Sequence, residues 1–220
     1  MKLSRLFLLI PAFMMMGCKN HNFQPSGNPS SQEESSEPEK STVVTEEEFN
    51  AIFQQQKLFL EDNVVVKTVF STGERDFFIE AENCEAKYYK SGDTELDMTY
   101  LDFEVTKDYF SVVQYKDGYW YQTDNLQMSE LKEYLFDKAC FVPFLFSDFI
   151  YNENHKAYGA QQIYMEVGDH KVYFKNIEIK FEDKKPTSIT CSYYPKDHPE
   201  EEESLEQTYT YGNAHVDNPK

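Results

Sequence analysis

The stretch Tyr109-Phe110-Ser111-Val112-Val113-Gln114-Tyr115-Lys116-Asp117-Gly118-Tyr119-Trp120-Tyr121-Gln122-Thr123 decides the fold. Two runs rich in β-branched and aromatic residues flank Lys116-Asp117-Gly118, and Asp-Gly between such runs is a strong signal for a tight hairpin. The same period of two continues upstream. Val64, Val66, Thr68 and Phe70 alternate with Val65, Lys67 and Val69. Phe77, Ile79 and Ala81 alternate with Phe78, Glu80 and Glu82, and Leu96, Met98 and Tyr100 alternate with Asp97 and Thr99. Five or six antiparallel strands are therefore predicted between 63 and 124.

Before them the period is helical. Thr45-Glu46-Glu47-Glu48 reads as a capping box, with Phe49, Ile52, Phe53, Phe59 and Leu60 near one stripe. Its three acids suit the positive end of the helix dipole. One helix is predicted over about 46–61. Downstream, Ser129 caps a second helix carrying Leu131, Tyr134 and Leu135. Pro143 opens the apolar segment Phe144 to Tyr151, read as a buried helix or as a lid over a groove. Strands return at 160–167 and 170–181, joined by Gly168-Asp169, and again at 187–194 and 205–211. The polar stretch 195–204 is a loop. This order predicts one α+β domain over 45–220, a curved antiparallel sheet packed on an N-terminal helix and one or two inserted short helices.

The first residues read as targeting. Lys2 and Arg5 precede the apolar run Leu6 to Met16, too short to span a bilayer and of signal-peptide length. Residues 1–17 are the predicted signal peptide. Met15-Met16-Gly17-Cys18 resembles the lipobox of bacterial lipoproteins, with Met15 where Leu is usual. That resemblance implies a diacylglyceryl group on Cys18, cleavage before it and attachment to the extracytoplasmic face of a cell membrane. Two acyl chains give a stable anchor where one is marginal.

Residues 18–44 form a predicted lipidated tether. Lys19 to Val44 holds six Ser and three Pro with Glu33, Glu34, Glu37 and Glu39, and its few apolar residues cannot offset ordering entropy. As a flexible coil it reaches about 28 Å. The chain carries 21 Lys plus Arg against 39 Asp plus Glu, a formal charge of −18. Loss of Lys2 and Arg5 leaves a still more anionic body that an anionic membrane repels, so the lipid must hold it. With no basic patch, nucleic acid is excluded as a partner.

The element order and the closing Tyr209-Thr210-Tyr211-Gly212-Asn213 resemble the LolA-like half-barrel found in lipid-handling carriers and surface lipoproteins. NTF2-like and lipocalin-like sheets compete with it. The LolA-like resemblance implies an apolar cavity for acyl chains between sheet and helices.

The 35 aromatic residues read either as core filler or as the lining of such a cavity. The candidate lining is Phe77, Phe110 and Trp120 with Phe144, Phe146 and Phe149 from the 141–151 segment. Catalysis is not expected: neither a Gly-x-Ser-x-Gly elbow nor a Gly-x-x-x-x-Gly-Lys loop occurs. His21, His155, His170, His198 and His215 never fall as His-x-x-x-His. Glu200 to Glu203 lacks calcium-loop spacing and reads as a solvated loop, so no metal or cofactor is expected. After lipidation Cys84, Cys140 and Cys191 remain, giving either one disulfide and a thiol or three thiols.

The expected function is a membrane-anchored, non-enzymatic lipoprotein binding an apolar ligand such as a lipid. The alternative is a cell-envelope protein-interaction or structural module without a ligand cavity, which an exposed, uncharged edge strand would favour.

Overall fold

In the computed structural model, residues 41–73, 75–103, 108–139 and 141–219 are described. The predicted signal peptide, Cys18, the tether as far as residue 40, and Cys140 lie outside them.

The chain enters through α1 (Glu46–Phe53) and α2 (Lys57–Glu61). Thr45 Oγ1 accepts the Glu48 N–H at 3.2 Å and the Glu48 carboxylate accepts the Thr45 N–H at 2.9 Å, completing the expected capping box. The single helix expected over 46–61 is broken by Gln56, which sits at φ 52°. Its buried side chain donates to the carbonyls of Phe53 and Gln54, so it takes over acceptors that a continuing helix would use.

Eleven strands follow: β1 (Val64–Phe70), β2 (Phe77–Glu82), β3 (Glu85–Lys90), β4 (Thr99–Phe103), β5 (Tyr109–Lys116), β6 (Tyr119–Gln127), then, after α3 (Leu131–Ala139), β7 (Ile150–Asn152), β8 (Ala157–Val167), β9 (His170–Glu182), β10 (Lys185–Pro195) and β11 (Glu203–Tyr211). Among the described residues they form one antiparallel sheet in the order β6-β5-β4-β3-β2-β1-β11-β10-β9-β8-β7. Strands consecutive in sequence are adjacent in space except β6 and β7, which take the two ends, and β1 pairs with β11, Val64 opposite Tyr211 and Phe70 opposite Leu205.

This corrects the fold class read from the sequence. The domain is predominantly one large antiparallel sheet, not an α+β body packed on helices, and its end strands β6 and β7 do not pair, so it is not closed into a barrel. Two local causes stand out. Hairpin turns without glycine, Asn83-Cys84 and Asp183-Lys184, have both residues at positive φ and join strands tightly where no Gly signals a turn. The apolar segment after Pro143 does not form the buried helix that is one of the two readings of it. It runs extended, makes one 3-10 turn at Phe146–Asp148 and becomes β7.

One face of the sheet is buried. Val64, Val66, Ile79, Ala81, Ala86, Leu101, Phe103, Phe110, Ile177, Ile179, Ile189 and Leu205 point into a single apolar cluster. α1 adds Phe49 and Phe53 to it, and α3 adds Leu131 and Leu135. Each fully buried Phe or Leu contributes about 1.5–3 kcal/mol. In the middle of this face Gln207 is buried, donating to Thr68 Oγ1 at 3.0 Å and accepting from the Tyr209 hydroxyl at 3.2 Å. The other face carries charged and polar side chains, a small cluster of Tyr100, Val113 and Val216, and the ring pairs Phe78–Tyr89 and Tyr164–Tyr173–Tyr194.

Residues 41–44, the end of the segment read as tether, pack on this body. Asp183 N–H donates to the Ser41 carbonyl at 2.9 Å, Thr42 Oγ1 meets the Tyr151 hydroxyl at 2.6 Å, and Val44 is buried.

Candidate functional site

The six candidate lining residues occupy three different places. Phe144, Phe146 and Phe149 come together because the extended run after Pro143 lies along α1. Phe144 stands 5.2 Å from Phe149 and 5.6 Å from Phe174, ring centre to ring centre. Phe49 contacts Phe146 at 5.6 Å and Phe149 at 5.4 Å. Phe144 and Phe149 are buried and Phe146 is half-buried.

Phe110 is buried in the same cluster from β5, where it meets Phe103 at 6.3 Å and the Tyr134 ring of α3 at 5.9 Å. Phe77 shares the face of Ile79 and Ala81 but lies at its end, half-buried. It packs edge-on to Phe70 at 5.3 Å and stacks on Tyr88 at 6.2 Å, with Lys90 Nζ 4.8 Å from its centre. Phe70 in turn meets Tyr193 at 5.9 Å across β11, so rings from β10, β1, β2 and β3 form one row. Trp120 is on the opposite face, against Tyr100 at 5.8 Å and Tyr115 at 5.3 Å.

Ionisable groups form no buried cluster among the described residues. His198 Nδ1 lies 3.2 Å from Glu200 and 3.9 Å from Glu201, a triad able to offer three ligand atoms to a cation, but all three side chains are exposed. Glu202 is engaged by Lys175 at 2.9 Å and by Ser192 at 2.8 Å. Those hydrogen bonds hold its carboxyl below the usual range. Cys84, expected in a strand, occupies the β2–β3 turn at φ 64° and its thiol donates to the Leu60 carbonyl at 3.2 Å.

The sheet edges are the other candidate. β6 is terminal in the sheet, and from Tyr119 to Thr123 it has no charged residue. Tyr119 is 70% exposed and Tyr121 51% exposed. The Asp117-Gly118 turn has both residues at positive φ (52° and 90°), the signature of a two-residue hairpin turn. Counting from it, Tyr119, Tyr121 and Thr123 direct their backbone groups to β5, whereas Trp120 and Gln122 direct theirs to the open edge. A bulge at Asp124-Asn125, with Asn125 at φ 61°, ends this regular run. No protein-family model matches the chain, and no curated protein matches it. The edge was readable only as alternation, because whether a strand is terminal depends on the order of the whole sheet.

Proposed function

We propose that this protein is a lipid-anchored, extracytoplasmic interaction module without catalytic activity, and that it recruits an envelope protein by adding one of the partner's strands to β6. One observation carries the reading: a regular, uncharged, solvent-facing edge at Tyr119–Thr123, with two exposed tyrosines beside it. Natural edges of this kind are usually blunted by charge, proline or cover, and an edge left open serves strand addition. Attachment through Cys18 is supported by the Lys2/Arg5 start, the apolar run and Gly17-Cys18.

The test places a photo-crosslinking benzoylphenylalanine at Tyr121 in the full-length protein in intact cells. A discrete adduct is expected, and Gln122→Pro, which removes one outward N–H, abolishes it. No adduct, or an adduct indifferent to Gln122→Pro, overturns the reading. Cys18→Ala releases the protein from the membrane fraction; its retention there overturns the anchor.

The row Tyr193, Phe70, Phe77 and Tyr88 supports a second reading, contact with an apolar ligand such as a lipid at the end of the inner face. Lipid found by native mass spectrometry in the purified protein, and lost on Phe77→Ser, supports it; protein free of lipid argues against it.

A further inference from the structure

β8 is longer than its outer neighbour. β7 pairs with it only at Ala157–Gly159, leaving Gln161–Val167 as a second open edge. Unlike β6, this edge faces a wall. A hollow of about 430 Å³ runs between Ile163–Gly168 on one side and Gln54, Lys132, Glu133, Pro143, Leu145 and Asp148 on the other. The wall is braced from α1. The Gln54 side-chain amide donates to the carbonyls of Pro143 and Phe144 and accepts from Lys132 Nζ at 2.7 Å. Asn50 Oδ1 accepts the Phe146 N–H at 3.3 Å.

We propose that this groove binds an extended polypeptide segment as an added strand, one that alternates apolar and basic residues. The Gly168-Asp169 turn sets the direction of the backbone groups. Counting back from the pair Val167–His170, the N–H and C=O of Gln162, Tyr164 and Glu166 point into the groove, and no other described backbone group meets them. Ile163 and Met165 on the inner side and Leu145, 48% exposed, on the wall give the groove an apolar lining.

Charge selects the ligand. Glu133 and Asp148 line the groove, and the one cation among its described lining residues, Lys132, is held by Gln54; the Glu166 carboxylate instead accepts the Tyr164 hydroxyl, with Lys171 and Lys196 nearby. The Glu133 carboxylate lies over Gly168, about where a β-carbon on that residue would stand. It therefore closes one end of the groove with negative charge. A strand laid here gains main-chain hydrogen bonds from β8 and pairs its basic side chains with these acids, and a braced wall spares ordering entropy on binding. The groove is separate from the β6 edge, and neither reading rests on the other.

The test uses the full-length protein at physiological ionic strength with two end-blocked heptapeptides, one alternating Val and Lys and the other alternating Val and Glu. Hydrogen exchange read residue by residue should slow at least tenfold at Gln162, Tyr164 and Glu166 with the first peptide and not change with the second. Glu133→Lys, an exposed helix-surface change, should weaken binding at least tenfold with the far-UV spectrum unchanged. Gln162→Pro should abolish it. Protection confined to β6 or to no site, equal binding of both peptides, or unaltered affinity in Glu133→Lys overturns the proposal.

Discussion

The Tyr158 hydroxyl clasps the Val44 peptide from both sides. The Val44 N–H donates to Tyr158 Oη at 2.9 Å, and that hydroxyl donates to the Val44 carbonyl at 2.7 Å. This one group on β8 pins the chain immediately before α1. Tyr158→Phe removes both bonds and leaves a buried N–H and C=O without partners, a cost of about 1–3 kcal/mol. The expected result is a lower melting temperature with faster hydrogen exchange at 41–45. Unchanged exchange there would show that Val44 packing alone suffices.

Tyr134 makes the opposite case. Its hydroxyl is buried without a hydrogen-bond partner among the described residues, and burial, with Asp137 nearby, pushes its pKa up to about 12. Removing an unpaired polar atom relieves its desolvation penalty. Tyr134→Phe is expected to keep or raise stability by up to about 1 kcal/mol, measured by urea denaturation. A clear loss would mean that the hydroxyl is satisfied after all.

Trp120 reports on the C-terminal segment, not on the inner face. It packs against the small cluster that includes Val216. The backbone before Val216 is strapped down by Asn63, which bonds both the N–H and C=O of Ala214 at 2.8 and 3.1 Å, and by Lys87, which donates to the His215 carbonyl at 2.7 Å. Val216→Asp should shift the emission of this single tryptophan to the red and increase its quenching by iodide. Apolar ligands at the Phe77 row should leave the emission unchanged.

The α1 cap titrates in acid. Lys184 and the Thr45 N–H bond the Glu48 carboxylate and hold its pKa below the ordinary glutamate value. A group depressed on folding stabilises fully above its unfolded pKa and loses that contribution as pH falls through the folded one. Protection at α1, taken relative to the intrinsic exchange rate at each pH, should therefore fall below about pH 4. Glu48→Gln keeps a side-chain acceptor and should flatten that acid dependence; an identical profile would place the titration elsewhere.

Much of the strand pattern was legible in the sequence, because one buried face imposes a period of two. Val64, Val66 and Thr68 are inward and buried, as their alternation with Lys67 required. The Asp117-Gly118 hairpin and the Thr45–Glu48 box were equally readable, since each is set by a few adjacent residues. The fold class was not. β3 has Glu85 and Lys87 flanking Ala86 and is entered through Asn83-Cys84, a turn whose positive φ values carry no glycine signature. Gln56 ends α1 by bonding carbonyls, a role that helical periodicity cannot reveal. Of the candidate lining residues, Phe144 and Phe149 lie together, as their closeness in sequence allows. Trp120 was placed with them on ring chemistry alone, although strand parity assigns it to the other face. The β8 groove left no mark in the sequence, since its two walls meet only after the chain has crossed from β6 to β7.

The pairing of β1 with β11 has a consequence for biogenesis. The contact between Thr68 and Gln207 spans 139 positions of chain, so the centre of the sheet is completed by the last strand to emerge during synthesis. Until then β1 and β10 are each an uncapped template, and closing so long a loop is slow. A chain released before residue 203 would present both, and its fate is self-association unless a chaperone shields it.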